Sequence, residues 1–219
     1  MKPAILTFLL SAFLLSCSAP SPQSSGLQAQ SQPAPPPPVQ KFDYYLLSLS
    51  WSPEFCYSHQ GSPECDKHLG LVVHGLWPQY SGTSSGPEHC GNQPGPSNPD
   101  SLLDVIPTTS LIEHEWETHG TCSGLSANDY FALIRREFTG FHPPAQLQDA
   151  GRQSIVGVSE LKTAIAQANP GMDESEIALS CRGRYLSEVE LCLSKDGKPQ
   201  PCSALRECRG PSIYISSIR

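Results

Sequence analysis

Leu69-Gly70-Leu71-Val72-Val73-His74-Gly75-Leu76-Trp77-Pro78-Gln79-Tyr80 places a short apolar run directly before a histidine and a rigid turn. Leu69 to His74 has the length and β-branched content of a buried strand, and Gly75 reads as its stop. His74 would then stand at a strand terminus, where side chains leave the sheet and enter a cleft. A single histidine after an apolar strand is commonly a satisfied structural residue, so its reading depends on a second segment.

That segment is His114-Glu115-Trp116-Glu117-Thr118-His119-Gly120-Thr121-Cys122. Ser110 with Glu113 forms a capping-box pattern ahead of it, and Gly120 suits a left-handed cap behind it, which predicts a helix carrying both histidines. A metal-binding helix sets two histidines four residues apart on one face. His114 and His119 are five apart and diverge by about 140° on a helical wheel, which argues against chelation by the pair, whereas Glu115 and His119 diverge by only about 40°. His114, Glu115, Thr118 and His119 share one arc, and Glu113 and Glu117 fall on the solvated far side. Two imidazoles with a carboxylate suit proton transfer, because imidazole titrates near ~6.5 and can serve as base or acid close to neutrality.

Working outward, Phe42 to Trp51 reads as another buried strand, and residues 81–100 as loop, dense in Gly, Pro, Ser and Asn. Ser126 with Asp129 signals a helix through Phe138. Ser159 caps a further helix through Ala168, before Asn169-Pro170-Gly171. Glu188 to Leu191 alternates as a half-buried strand, the Asp196-Gly197 turn follows, and Ser212 to Ile218 is a last short strand. The fold class is α+β: a single domain with a central, mostly antiparallel sheet packed by several helices.

In the chain of 219 residues, Lys2 is followed by an apolar run from Ala4 to Leu15, shorter than the roughly 20 residues a membrane span requires. Residues 1–17 read as a signal peptide whose end, Leu14-Leu15-Ser16-Cys17, resembles a lipobox. Cys17 is then the lipidated first residue of the mature chain and a membrane anchor; conventional cleavage near Ala19 is the alternative. Either route exports the protein, to the periplasm, to the outer membrane as a lipoprotein, or to the medium. Residues 18–40 hold seven Pro, five Ser and five Gln with no charged side chain, a disordered tether that cannot bury enough apolar surface to order itself.

Residues 41–219 then form the one folded domain. Of nine cysteines, setting Cys17 aside leaves eight in this domain, which in an exported protein read as four disulfides; there is no Cys-x-x-Cys to suggest zinc, and no metal or cofactor is expected. A formal net charge of −7 argues against indiscriminate binding to polyanions.

The stretches 71–80 and 114–122 together resemble the two active-site segments of the ribonuclease T2 family, in order and separation. The resemblance continues through Phe42-Asp43-Tyr44-Tyr45, Trp51-Ser52-Pro53 and the cysteines at 181, 192, 202 and 208, and so spans essentially all of 41–219. It implies a metal-independent, monomeric endoribonuclease acting on single-stranded RNA with broad base specificity. The ribose 2′-hydroxyl attacks the adjacent phosphorus to give a 2′,3′-cyclic phosphate, later hydrolysed to a 3′-phosphate; DNA, lacking that hydroxyl, is not cleaved. His119 takes the role of general base and His74 that of general acid. His114 and Thr118 lie at the phosphate, Glu115 stabilises the transition state, and Trp77 and Gln79 contact a base. The implied disulfides are Cys90–Cys122, Cys181–Cys208, Cys192–Cys202 and, by remainder, Cys56–Cys65.

Two positions depart from the family pattern: Thr118 stands where Lys is common, and Gln79 where Asp is common. A preorganised charge at a developing phosphorane is worth on the order of 3 kcal/mol, which a threonine hydroxyl cannot replace in full. Arg182 or Arg184 could supply the missing cation, and Lys67-His68 could add cleft charge. His59, His68, His89 and His142 are expected in exposed loops. The missing cation and the acidic net charge motivate a second reading, a catalytically weak RNA-binding or effector protein on the same fold; a zinc hydrolase is a third.

Overall fold

The strand Tyr44–Trp51 (β1) is apolar on both faces at its start and on one face at its end, and this gradient organises the molecule. Tyr45, Leu47, Leu49 and Trp51 alternate into the main core, while Tyr44 and Leu46 join Cys192 in a smaller cluster on the opposite face. Further along that second face come Ser48 and Ser50. The polar end of an otherwise buried strand is where the candidate site is built. Fully buried residues such as Leu47 and Leu49 contribute about 1.5–3 kcal/mol each through water exclusion.

This computed structural model describes residues 41–148 and 151–218. The leader, Cys17 and the tether of residues 18–40 lie outside the described residues. After β1 come Ser52–Ser58 (α1), Leu71–Gln79 (β2), Thr109–Thr118 (α2), Ala127–Gly140 (α3), Ala145–Gln148 (α4), Ser154–Gly157 (β3), Val158–Ala168 (α5), Ile177–Arg182 (β4), Tyr185–Leu193 (β5) and Ser212–Ile215 (β6). The sheet has six strands in the order β2-β1-β5-β6-β3, with β4 on β5. Every pairing is antiparallel except the short parallel contact between β5 and β6 at Tyr185 and Tyr214. Helices cover the apolar face through Ile112, Trp116, Tyr130, Phe131, Ile134, Leu161 and Ile165. The α+β class and the mostly antiparallel sheet are as the sequence predicts.

Four disulfides join Cys56–Cys65, Cys90–Cys122, Cys181–Cys208 and Cys192–Cys202, the pairing the resemblance implies. Each closes a loop and is worth about 2–4 kcal/mol. Cys90–Cys122 fastens the long loop after β2 to the turn that follows α2, and the same junction is sewn by His89 N–H donating to the Thr118 carbonyl at 2.8 Å.

Several boundaries differ from expectation, each for a local reason. β2 does not stop at Gly75 but runs on to Gln79. The N-cap of α2 is Thr108, whose hydroxyl accepts from Leu111 N–H at 3.2 Å, rather than Ser110. Gly120 has no left-handed conformation. It opens a single 3-10 turn, Gly120–Cys122, and is needed for space, because a Cβ there would lie 2.3 Å from the Trp116 ring. Ser126 caps α3 as expected, accepting from Asp129 N–H at 3.2 Å, and that helix continues past Phe138 to Gly140. α5 starts at Val158 behind Gly157, so Ser159 is inside it rather than capping it. The final strand ends at Ile215, short of Ile218.

Candidate active site

The registry between β1 and β2 slips at His74. Ser48 pairs with Gly75 and Leu49 with Val73, so His74 is the extra residue of a β-bulge. Val73 faces the core, and the bulge keeps His74 on the opposite, polar face together with Gly75, the partner of Ser48. Bulges commonly re-aim a side chain in this way. The His74 ring reaches across β1 to Glu188 on β5, with Nδ1 at 2.6 Å from Oε1. Its other nitrogen, Nε2, lies 3.9 Å from Glu115 Oε1.

α2 brings the second segment to this face. Glu115 is fully buried, and its Oε2 accepts from the Trp77 indole N–H at 2.8 Å. The close approach is permitted by Gly75, where a Cβ would fall 1.8 Å from Glu115 Oε2 and 2.4 Å from Trp77 Nε1. The remaining oxygen, Glu115 Oε1, is buried with no hydrogen-bond partner. Trp77 sits between the two catalytic candidates: its ring is 5.0 Å from that of His74, edge-on, and 5.5 Å from that of His119. His119 caps the C-terminus of α2, its N–H donating to the Glu115 carbonyl at 3.0 Å, with the His114 ring 6.4 Å from its own. His114 is exposed and Thr118 buried, with the Thr118 hydroxyl 3.4 Å from His114 Nδ1. Glu113 and Glu117 are exposed on the far side of the helix, as the wheel predicts.

The electrostatics divide the two histidines. Burial lowers the His119 pKa to about 4, assisted by the positive potential of His114, His74 and His89. Burial also acts to lower His74, but the Glu188 hydrogen bond and the charges of Glu188, Glu115 and Glu64 outweigh it, leaving His74 raised above its ordinary value. His119 is thus disposed to be a neutral base and His74 a cationic acid. Burial raises Glu115 to about 7, against the opposing pull of His74 and the Trp77 hydrogen bond.

The ribonuclease T2 family profile matches residues 42–202. The chain belongs to the ribonuclease T2 family. It is 32% identical over 209 residues to "Ribonuclease" of Aeromonas hydrophila, covering 90% of this chain and 93% of that one. Among solved structures, an RNase MC1 variant in complex with 5′-UMP superposes with a TM-score of 0.66 at 23% identity, covering 80% of this chain and 99% of its own. Trichomaglin, described as an S-like ribonuclease, superposes with a TM-score of 0.64 at 24% identity, covering 80% and 97%. These two likenesses speak to the fold.

Within this family frame, the structure gathers His74, Trp77, Glu115, Thr118 and His119, with His114 at the edge. Gln79 is only 7% exposed and pairs with Tyr44 at the end of β2. Trp77 donates to Glu115, and its ring meets both imidazole rings. Arg182 is held by the Ser58 hydroxyl, and Arg184 lies over the Tyr214 ring. Lys67 donates to the Pro107 carbonyl at 2.7 Å. His59, His68, His89 and His142 are exposed, but His89 lies near enough to His119 for its charge to be felt. Among the described residues, no group of three or more His, Cys, Asp or Glu is arranged to hold a metal. Sequence reasoning missed Glu188, whose link to His74 depends on strand registry across β1.

Proposed function

We propose that this chain is an endoribonuclease that cleaves single-stranded RNA without metal or cofactor, by 2′-hydroxyl attack to a 2′,3′-cyclic phosphate and then a 3′-phosphate. The observation that carries the reading is the approach of two imidazoles of opposite protonation tendency to one indole, Trp77. His119, neutral, takes the 2′-hydroxyl proton. His74, as imidazolium, gives its Nε2 proton to the departing 5′-oxygen. In the hydrolytic step the roles reverse, with His74 accepting a proton from water and His119 returning one to the 2′-oxygen.

His114 supplies a hydrogen bond at the phosphate. The unpartnered Glu115 Oε1 faces His74 and stabilises the charge that develops between them. A base stacking on the exposed part of Trp77 is bound by a contact tolerant of base identity, worth ~1–3 kcal/mol, which supports broad specificity. The chain acts as a monomer, exported through its leader and either anchored through Cys17 or released, and cell fractionation reads this directly.

The test is RNA cleavage in the presence of a chelator, with identification of the product ends. Cyclic and 3′-phosphate ends, undiminished by chelator, are expected. Products with 5′-phosphates, or activity lost to chelation, overturn the mechanism in favour of a metal hydrolase. No cleavage beyond that of a His119→Ala control would favour the binding or effector reading, which the Thr118 substitution motivates.

Thr118→Lys probes that substitution directly. The lysine stem would replace a buried threonine and carry an ammonium towards His114. An increase in kcat/KM of about tenfold is expected, a fraction of the ~10²–10³ a preorganised donor can contribute. Unchanged or lower activity would show that the site does not use a cation there.

A further inference from the structure

We propose that Glu188 is a positioning residue for His74, a carboxylate that fixes the ring and its tautomer so that Nε2 carries the transferable proton. The inference rests on the general-acid reading of His74 given above and deepens it.

The geometry leaves His74 little freedom. Nδ1 is 2.6 Å from Glu188 Oε1, and the Ser50 hydroxyl donates to that same oxygen at 3.3 Å. Ser50 is the β1 residue paired with Glu188, so three strands converge here: the bulged β2, the intervening β1 and β5. An ionised carboxylate only accepts, so Nδ1 must keep its hydrogen in both protonation states of the ring. The proton that comes and goes is then the one on Nε2, the nitrogen turned towards Glu115. As the bond from phosphorus to the 5′-oxygen breaks, the Nε2 proton passes to that oxygen, and the ring remains neutral with its Nδ1 hydrogen still bound to Glu188.

Three carboxylates face His74: Glu188 from β5, Glu115 from α2, and Glu64 from the segment before the Cys65–Lys67 turn. The Trp77 ring packs edge-on against His74 and in turn meets His119; Lys67 and His59 act on Glu64, and Glu190 stands on Glu188's own strand. Only Glu188 is suited to hold the imidazolium. Burial pushes Glu64 and Glu115 up, towards their neutral forms. Glu188 is also disfavoured by burial, yet its hydrogen bond to His74, together with the His74 charge and the Ser50 hydroxyl, brings it below its ordinary value. Glu190, two residues along, is raised to about 7, chiefly by burial and then by Glu188, so it yields its charge to its neighbour. A purely structural Glu188 would need only a hydrogen bond, which an amide can also make; a positioning Glu188 needs the charge.

Glu188→Gln separates the two. The amide oxygen can still accept from Nδ1, but the charge is gone. The His74 pKa, followed by imidazole NMR, is expected to fall by about 1 unit or more, as loss of an adjacent opposite charge commonly does. The alkaline limb of kcat/KM should move towards acid by the same amount. RNA cleavage should drop roughly 10–100-fold, part of the ~10²–10⁴ that a general acid contributes. On uridine 3′-(4-nitrophenyl phosphate), whose leaving group needs no proton, the deficit should shrink to within about threefold. Glu188→Asp keeps the charge and should recover most of the alkaline limb.

An unmoved His74 pKa, or an equal deficit on both substrates, would overturn the proposal. If Glu188→Gln does not fold, Glu188→Ala carries the same comparison: without the carboxylate the His74 pKa must fall and the deficit on RNA must exceed that on the nitrophenyl ester, and an Ala variant identical to wild type in both overturns the proposal equally. His74→Ala separates this inference from its premise. If that variant cleaves RNA normally, the general-acid reading fails; if it is inactive while Glu188→Gln matches wild type, only the role of Glu188 fails.

Discussion

His119→Ala is expected to lower kcat for RNA cleavage by ~10²–10⁴-fold, the range a positioned general base supplies, with little change in KM. The ring is on the cleft side of α2's last turn and makes no hydrogen bond to the core, so the fold should tolerate its removal. The pH profile carries the sharper statement. With His119 at about 4, the acid limb of wild-type kcat/KM should fall near that value, and the alkaline limb should lie above the ordinary imidazole value because His74 is raised. In His119→Ala the acid limb should vanish from the residual rate. A wild-type rate that is flat from about pH 4 to 9 would contradict the two-imidazole mechanism, as would a variant retaining more than about a tenth of wild-type activity.

Stability offers an independent check of the same shift. His119 binds its proton less readily folded than unfolded, so the wild type loses stability as pH falls from the ordinary imidazole value of ~6.5 towards 4. The variant has no such loss, and its Tm relative to wild type should improve on going from pH 7 to pH 4.5. Glu115 and Glu190, raised to about 7, act in the opposite sense: their contribution is fully present below the unfolded carboxylate value and is lost as pH rises through 7. Both remain in the variant, so the comparison isolates His119. A Tm difference independent of pH would mean that His119 is not held below its ordinary value.

The histidine pair was legible in the sequence because its chemistry is compressed into two short segments, each with its own local signal. A helix period puts Glu115 and His119 within one arc without reference to the rest of the fold, whereas the contacts Glu115 makes in the structure are with Trp77 and His74. His74 was legible as a candidate but for an incomplete reason. A glycine after an apolar run reads as a strand stop, yet Gly75 is kept within β2 and owes its identity to the space that Glu115 and Trp77 occupy. The same applies to Gly120, which makes room for Trp116. Sequence punctuation rules report backbone conformation, and neither glycine is there for its conformation. Glu188 was out of reach because Ser50, Glu188 and His74 come together only through the registers of two strand pairings and a bulge, all non-local. Strands β3 and β4 were missed for a related reason. Ser154–Gly157 is too short to show alternation, and the buried end of Ile177–Arg182 is a continuous Ile-Ala-Leu run rather than an alternating one.

Gly75→Ala is expected to have a large effect for its size. The added methyl would lie 1.8 Å from Glu115 Oε2, 2.4 Å from Trp77 Nε1 and 2.6 Å from Glu115 Cδ, so it must part the indole from the carboxylate. Neither can move cheaply: Glu115 is fully buried on α2, and Trp77 is wedged between His74 and His119. Overpacking together with a buried carboxylate stripped of its donor should cost about 2–4 kcal/mol. Displacing Trp77 by even an ångström would spoil the spacing of the imidazoles and lower kcat by ~10²-fold. Gly61→Ala, where nothing lies within 4 Å of the new atom, is the matched control and should change neither. A double-mutant cycle identifies the cause. In a Glu115→Ala background the principal clash is absent, so Gly75→Ala should cost less than half of what it costs in the wild type, while activity stays low in both. Equal costs in the two backgrounds would mean that the glycine is required by something other than the Glu115 carboxylate, and the account of how α2 is seated against the bulged strand would have to be abandoned.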